Sequence, residues 1–194
     1  MASLSLDHFL TEIRACTICE SSLDAGVRPV LQVSENAKIL IVGQAPGRRV
    51  HLSGIPFDDP SGDRLRKWMG IDKDTFYDAS KVNIVPMGFC YPGTGKSGDF
   101  PPRKECAPQW RGPLMDKLSS VELTLVIGQY AIQWHLGSTR KKTLTETVKA
   151  WQEYWPDHVV LPHPSPRNNI WLKKNEWFED AILPALKKRI SELL

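Results

Sequence analysis

Four short apolar runs punctuate the chain: Lys38 to Val42, Val82 to Met87, Leu123 to Ile127, and His158 to Leu161. Each is rich in Val, Ile or Leu and ends at Gly or Pro, the pattern of strands buried on both faces. Between them the period lengthens to that of a helix. Leu6, Phe9, Leu10 and Ile13 make one apolar face over Leu4 to Cys16. Asp63 to Met69 predicts a helix opened by Ser61 or Asp63 as cap and closed by Gly70. Glu105 to Leu118 and Gln129 to Leu136 read as helices, and Asp74 to Tyr77 as one turn. Thr143 to Trp155 is expected helical, its Thr143 and Glu146 fitting a capping box. Asn175 to Leu194 closes the chain with a helical apolar stripe, and Val30 to Val33 has the composition of a short strand. Strands interleaved with helices predict an α/β fold, an α/β/α sandwich on a four-stranded parallel sheet. There are no repeats and no linker, so one domain is expected over residues 1–194.

Composition narrows the class. Hydrophobic residues make up 41% and charged residues 24%, the balance of a globular chain. No apolar run approaches the ~20 residues that span a bilayer. The first eleven residues carry no basic segment of a signal peptide, so a cytoplasmic protein without membrane contact is expected. The net charge of +3 is only mildly basic. Its distribution says more. Arg48-Arg49, Arg64-Arg66-Lys67, Arg140-Lys141-Lys142 and Arg167 with Lys173-Lys174 fall near loops expected on one sheet edge. Together they could meet phosphates; singly, each reads as a solvated face.

Three features carry chemistry. The first is Gly43-Gln44-Ala45-Pro46-Gly47 running on to Pro56-Phe57-Asp58-Asp59-Pro60-Ser61-Gly62, between a strand and a helix N-terminus. At the carboxyl edge of an α/β sheet such a loop forms a ligand pocket. It offers backbone N–H groups, an amide, a ring and two carboxylates, which suits a flat polar ligand such as a nucleobase. The second is His163, just past a strand and stiffened by Pro164 and Pro166, able to donate to an oxygen on which charge develops. The third is a set of four cysteines, Cys16, Cys19, Cys90 and Cys106. The Cys16–Cys19 spacing suits a metal site or a redox pair, but a redox pair would follow a strand. Four thiolates can hold zinc or an iron–sulfur cluster, and spacing alone does not choose between them; four unrelated buried cysteines are the bland alternative. Pro92-Gly93-Thr94-Gly95-Lys96-Ser97 looks like the end of a phosphate-binding loop, but Cys90 stands where its first glycine belongs and no helix follows Ser97. The Gly88 to Pro102 stretch is better read as a wrapper for a cluster held by Cys90 and Cys106.

The Gly43–Gly47 segment, Pro56-Phe57 and His163-Pro164-Ser165-Pro166 together resemble the signature motifs of the uracil-DNA glycosylase superfamily. The cysteine order resembles its iron–sulfur branch, families 4 and 5. The resemblance covers most of the chain. It implies hydrolysis of the N-glycosidic bond of uracil in DNA, with the base flipped out of the stack and an abasic site left behind. It implies that Gly43, Gln44 and Ala45 line the base pocket and Phe57 stacks on the base. His163 would bind the developing charge on the base oxygen. Cys16, Cys19, Cys90 and Cys106 would hold a structural [4Fe–4S] cluster. Ser165, Arg167 and Asn168 would meet DNA, Arg167 standing where the family has a wedge, often leucine.

Departures from the family pattern matter. Ala45 stands where its best-known members carry a water-activating aspartate. Asp59, in Asp59-Pro60-Ser61-Gly62, resembles the family 5 pattern in which that carboxylate serves the water, and is expected to polarise the water and to be the electrostatic partner of the sugar cation, with helix capping as its bland alternative. The family's base-reading asparagine falls at Pro86; Asn83, three residues earlier, is the remaining candidate on the strand. Uracil, hypoxanthine, xanthine and mismatched thymine therefore all stay open as the base. The expected partner is DNA containing uracil or another deaminated base, bound by a monomer. The alternatives are a non-catalytic nucleic-acid-binding iron–sulfur protein of the same fold and a small-molecule nucleosidase.

Overall fold

The computed structural model describes residues 5–194. Its strands are β1 (Ile39–Val42), β2 (Val82–Ile84), β3 (Thr94–Gly95), β4 (Gly98–Asp99), β5 (Leu123–Ile127) and β6 (His158–Leu161). Its helices are α1 (Leu6–Arg14), α2 (Arg48–Ser53), α3 (Pro60–Met69), α4 (Lys73–Tyr77), α5 (Cys106–Met115), α6 (Gln129–Leu136), α7 (Leu144–Lys149), α8 (Asn169–Lys174) and α9 (Leu183–Leu193). The expected start of the first helix at Leu4 lies outside the described residues.

The four apolar runs form one parallel sheet in the order β2–β1–β5–β6. β1 and β5 are buried at every position because helices cover both faces and neighbours occupy both edges. Ile39 pairs with Val82 on one side and Leu123 on the other. Pairing with β1 outlasts β2 itself: Val85 N donates to Ile41 O, Met87 N to Gly43 O and Gly88 N to Gln44 O. The expected strand to Met87 therefore survives as a hydrogen-bonded ribbon, though its regular part ends at Ile84. The order sends β1's outgoing connection one way and β5's the other. With right-handed crossovers a crevice opens beyond the carboxyl ends of these strands.

The expected strand at Val30 to Val33 is instead a single antiparallel bridge, Gln32 to Ile84, closing the open edge of β2. Asn83 anchors it: its Oδ1 accepts from Ser34 N at 2.7 Å and its Nδ2 donates to Ser34 O at 3.1 Å. The helix expected over Thr143 to Trp155 stops at Lys149; its capping box is present, and a 3₁₀ turn follows at Trp151–Glu153. The closing helix is interrupted by a π turn at Phe178–Ile182. Pro184 has no N–H for the carbonyl four residues back, and the wider turn accommodates the missing bond. That turn sets Phe178 edge-on to Trp68 at 5.0 Å and to Trp171 at 5.8 Å. Trp171, whose Nε1 donates to Thr145 Oγ1, belongs to this aromatic cluster.

α2 has no strong apolar period and was not anticipated. Arg28 holds its C-terminal end, donating to His51 O at 2.7 Å and Leu52 O at 2.8 Å, a cation on orphan carbonyls. Among the described residues no helix is long and apolar enough to cross a membrane.

Candidate active site

A cleft of about 510 Å³ opens at the crevice beyond β1. That volume suits a small flat ligand. Its walls come from the Gly43–Gly47 loop, Phe57, Asp59, Pro86, the 97–100 hairpin, His163, Ser165, Arg167 and Asn168. Segments remote in sequence meet there because β1, β2 and β6 all end at the same edge.

Phe57 is the floor. Its backbone has φ +55°, a conformation that costs a bulky residue about 1–3 kcal/mol and survives only where neighbours enforce it. Gly62 is one such neighbour: a Cβ there would lie 1.8 Å from Phe57 O, so only glycine lets α3 approach the loop. Gly43 is the other, for a Cβ on it would touch the Phe57 ring at 3.3 Å. The edge contact with Phe76, centroids 6.3 Å apart, fixes the ring plane.

Asp59 is the N-cap of α3, its Oδ1 accepting from Gly62 N at 2.9 Å. This corrects Ser61 or Asp63 as the expected cap. Capping and cleft lining are compatible, since only one carboxylate oxygen is used. Asp58 does not line this cleft; it faces a separate depression that Asp59 also borders.

His163 is oriented by its neighbours. Ser165 N donates to its Nδ1 at 3.2 Å, and Asn168 Nδ2 donates to its backbone O at 2.7 Å. With Nδ1 accepting, the neutral ring carries its proton on Nε2. Burial holds the imidazole below its ordinary pKa, partly offset by Asp59 and Asp99. A ring that stays neutral yet donates suits a developing oxyanion. Arg64 braces the His163 loop against α3, donating to Ser165 O at 3.1 Å and to Asn169 Oδ1 at 2.7 Å.

Gln44 lines the cleft and donates through Nε2 to Phe100 O at 3.4 Å, leaving its amide oxygen for a ligand. Ala45 adds only a methyl group to the wall. Arg167 reaches across to Ser97 O at 3.4 Å. Asn83 does not belong to this set. It is fully buried and its amide is spent at both ends on Ser34, so its role is the edge clamp and not base reading. Its strand position turns it away from the cleft, which sequence register alone did not reveal. Asp99 was missed: it lines the cleft only because β3 and β4 fold the Gly88 to Pro102 stretch back on itself. That stretch divides its work, Gly88–Cys90 facing the cysteines and Ser97–Phe100 facing the cleft.

All four cysteines are free and line one second cavity, with Ile13, Leu23, Phe89 and Trp110 around them. Burial pushes the Cys106 thiol up to about 12 and the Cys90 thiol up to about 11. Cys19 Sγ donates to Glu105 Oε2 at 3.9 Å; buried thiolates would need a cation. Donors are in place for sulfur: Phe89 N to Cys106 Sγ at 3.4 Å, and the Arg28 backbone N–H to Cys90. Among the described residues, no three His, Cys, Asp or Glu side chains gather into a group that could hold a metal ion. Four thiols around one cavity are the donor set of zinc and of an iron–sulfur cluster alike.

The model of a family described as "Uracil DNA glycosylase superfamily" matches residues 31–187. That span contains every cleft residue but Val30, with Cys90 and Cys106, and leaves Cys16 and Cys19 outside. Among solved structures the chain is similar to a candidate uracil DNA glycosylase from Methanosarcina acetivorans, determined in solution. The identity is 17%, the TM-score 0.47, and the match covers 81% of this chain and 95% of that one.

Proposed function

Because the chain belongs to the uracil DNA glycosylase superfamily, we propose that it hydrolyses the N-glycosidic bond of uracil, or of a related deaminated base, in DNA and leaves an abasic site. The observation that carries this reading is that Asp59 and His163 border one cleft whose floor is the Phe57 ring. A flipped base lies on Phe57, where stacking is worth about 1–3 kcal/mol. The C–N bond opens, its electron pair leaves with the base, and the deoxyribose becomes cationic. His163 Nε2–H donates to the base oxygen that gains charge. The free Asp59 oxygen polarises the water that attacks the sugar. Ser165 and Asn168 set the histidine, and Arg167 supports the strand from which the base was drawn.

Cys16, Cys19, Cys90 and Cys106 would hold a [4Fe–4S] cluster, joining the N-terminal segment after α1 to the loop at Cys90 and the start of α5 at Cys106. The cluster's part is structural cross-linking, and no chemical step passes through it. Protein prepared without air is expected to contain iron and acid-labile sulfide in equal amounts; one zinc per chain would overturn this assignment.

A uracil-containing oligonucleotide, incubated with the protein and then treated with alkali, tests the activity. Strand cleavage at uracil is expected. Intact strands at stoichiometric protein would favour the non-catalytic binder instead. Arg48 and Arg49 also border the cleft. DNA affinity is expected to fall steeply with salt, and Arg49→Ala should flatten the log–log slope by about 0.9. Salt-insensitive action on free nucleosides would point to a nucleosidase.

A further inference from the structure

Asp59 has one free carboxylate oxygen, because the other is bound to Gly62 N. Two demands face that oxygen: the attacking water must be polarised, and positive charge on the deoxyribose must be balanced. The cleft contains another carboxylate that can meet the second demand. Asp99 borders the cleft from the β3–β4 hairpin and acts on the His163 imidazole in the same direction as Asp59.

Asp99 is held as a working group would be. Thr94 Oγ1 donates to its Oδ1, so the Thr94 oxygen must accept from Tyr91, whose hydroxyl is the donor and whose ring is buried. The second oxygen, Oδ2, lies over Gly47, 3.5 Å from where a Cβ would stand. The hairpin is tied to both neighbouring walls, by Gln44 Nε2 to Phe100 O and by Arg167 Nη1 to Ser97 O.

We propose that Asp99 is a second catalytic carboxylate, which balances the cationic deoxyribose while Asp59 polarises the water. The inference rests on the glycosylase reading above. In the reaction the bond from C1′ to the base nitrogen breaks and its electron pair leaves with the base. The water oxygen bonds to C1′, and the released water proton passes to Asp59 and on to solvent. The base takes a proton from solvent. Asp99 gains and loses no atom; its charge lowers the energy of the cationic sugar.

The test is single-turnover cleavage of a uracil oligonucleotide by Asp99→Asn, read beside its affinity for the same DNA. A carboxylate facing DNA repels phosphates, so its removal should leave binding unchanged or tighter while the rate falls about 10²- to 10³-fold. Thr94→Val, which frees Asp99 from its brace, should move the rate the same way but less. A purely structural role would weaken binding and rate together. Asp99→Asn cutting at the wild-type rate, or losing rate only in proportion to binding, overturns the inference and leaves the glycosylase reading standing. A wild-type protein inactive on uracil, hypoxanthine, xanthine and mismatched thymine overturns both.

Discussion

Asp59→Asn should slow base release about 10²- to 10⁴-fold in single-turnover assays and leave the melting temperature nearly unchanged. The two halves of this result separate two roles of one side chain. Asparagine caps a helix as well as aspartate does, so the bond to Gly62 N survives the change. It has no basic oxygen to take up a water proton, and general-base loss is worth factors of this size. Asp59→Ala should lose the same rate and also about 0.5–2 kcal/mol of stability. Asp58→Asn should do little, because Asp58 stands outside the cleft. Equal, small losses at both aspartates would remove Asp59 from its role. His163→Ala is the companion change, costing about 10²- to 10³-fold as one oxyanion donor is lost. The pH profile should show the same ring. Its pKa lies below the ordinary imidazole value, so the neutral, Nε2-protonated form persists through neutral pH, and activity should decline only as pH falls beneath the ordinary histidine range.

Arg111→Met should cost about 2–4 kcal/mol in denaturant unfolding, the largest stability effect expected outside the apolar core. Arg111 is fully buried on α5, and among the described residues no carboxylate forms an ion pair with it. Its Nη1 donates to Val85 O and Pro86 O, each at 2.9 Å, and its Nη2 donates to His135 Nε2 at 2.8 Å. Desolvation opposes the charge and lowers the guanidinium pKa to about 10. Removing the cation relieves that cost but strands three buried acceptors at about 1–3 kcal/mol each, so the loss of partners wins. Lysine should not rescue it, since one ammonium does not reproduce the planar fork. The change would also loosen Pro86, a wall of the cleft.

The same contact gives stability a pH dependence. His135 is pushed down to about 3, first by burial, then by Arg111 and His158. His158 and His163 are lowered by burial as well. Histidines with depressed folded values bind fewer protons in the native state than in the unfolded one. Their stabilisation is complete above the unfolded value near 6.5 and is lost as pH falls through that range and toward 3. Acid titration followed by circular dichroism checks this; in Arg111→Met, His135 should titrate at higher pH.

The α/β layout, the parallel sheet, the cysteine set and the Gly43, Phe57, Asp59 and His163 positions were legible along the chain. They depend on local properties: apolar runs long enough for buried strands, glycines and prolines where the backbone turns, and polar groups just past strand ends. Asn83 shows the limit. Its residue type was right for reading a base, but a one-residue change of register reverses the face of a strand, and only pairing with Ser34 shows which face it took. The Asp59 cap likewise needed coordinates, since three neighbouring polar residues could each have served.

Asp99, Arg111 and the bracing of His163 by Arg64 were decided only by tertiary structure. Each depends on contacts between segments that the chain brings together late. β3 and β4 are two residues each and carry no periodic signal. The burial of Arg111 follows from how α5 docks on the ribbon after β2. Local pattern sets which residues stand at an edge of the sheet; the distances among them arise only when strands of remote sequence end at the same place.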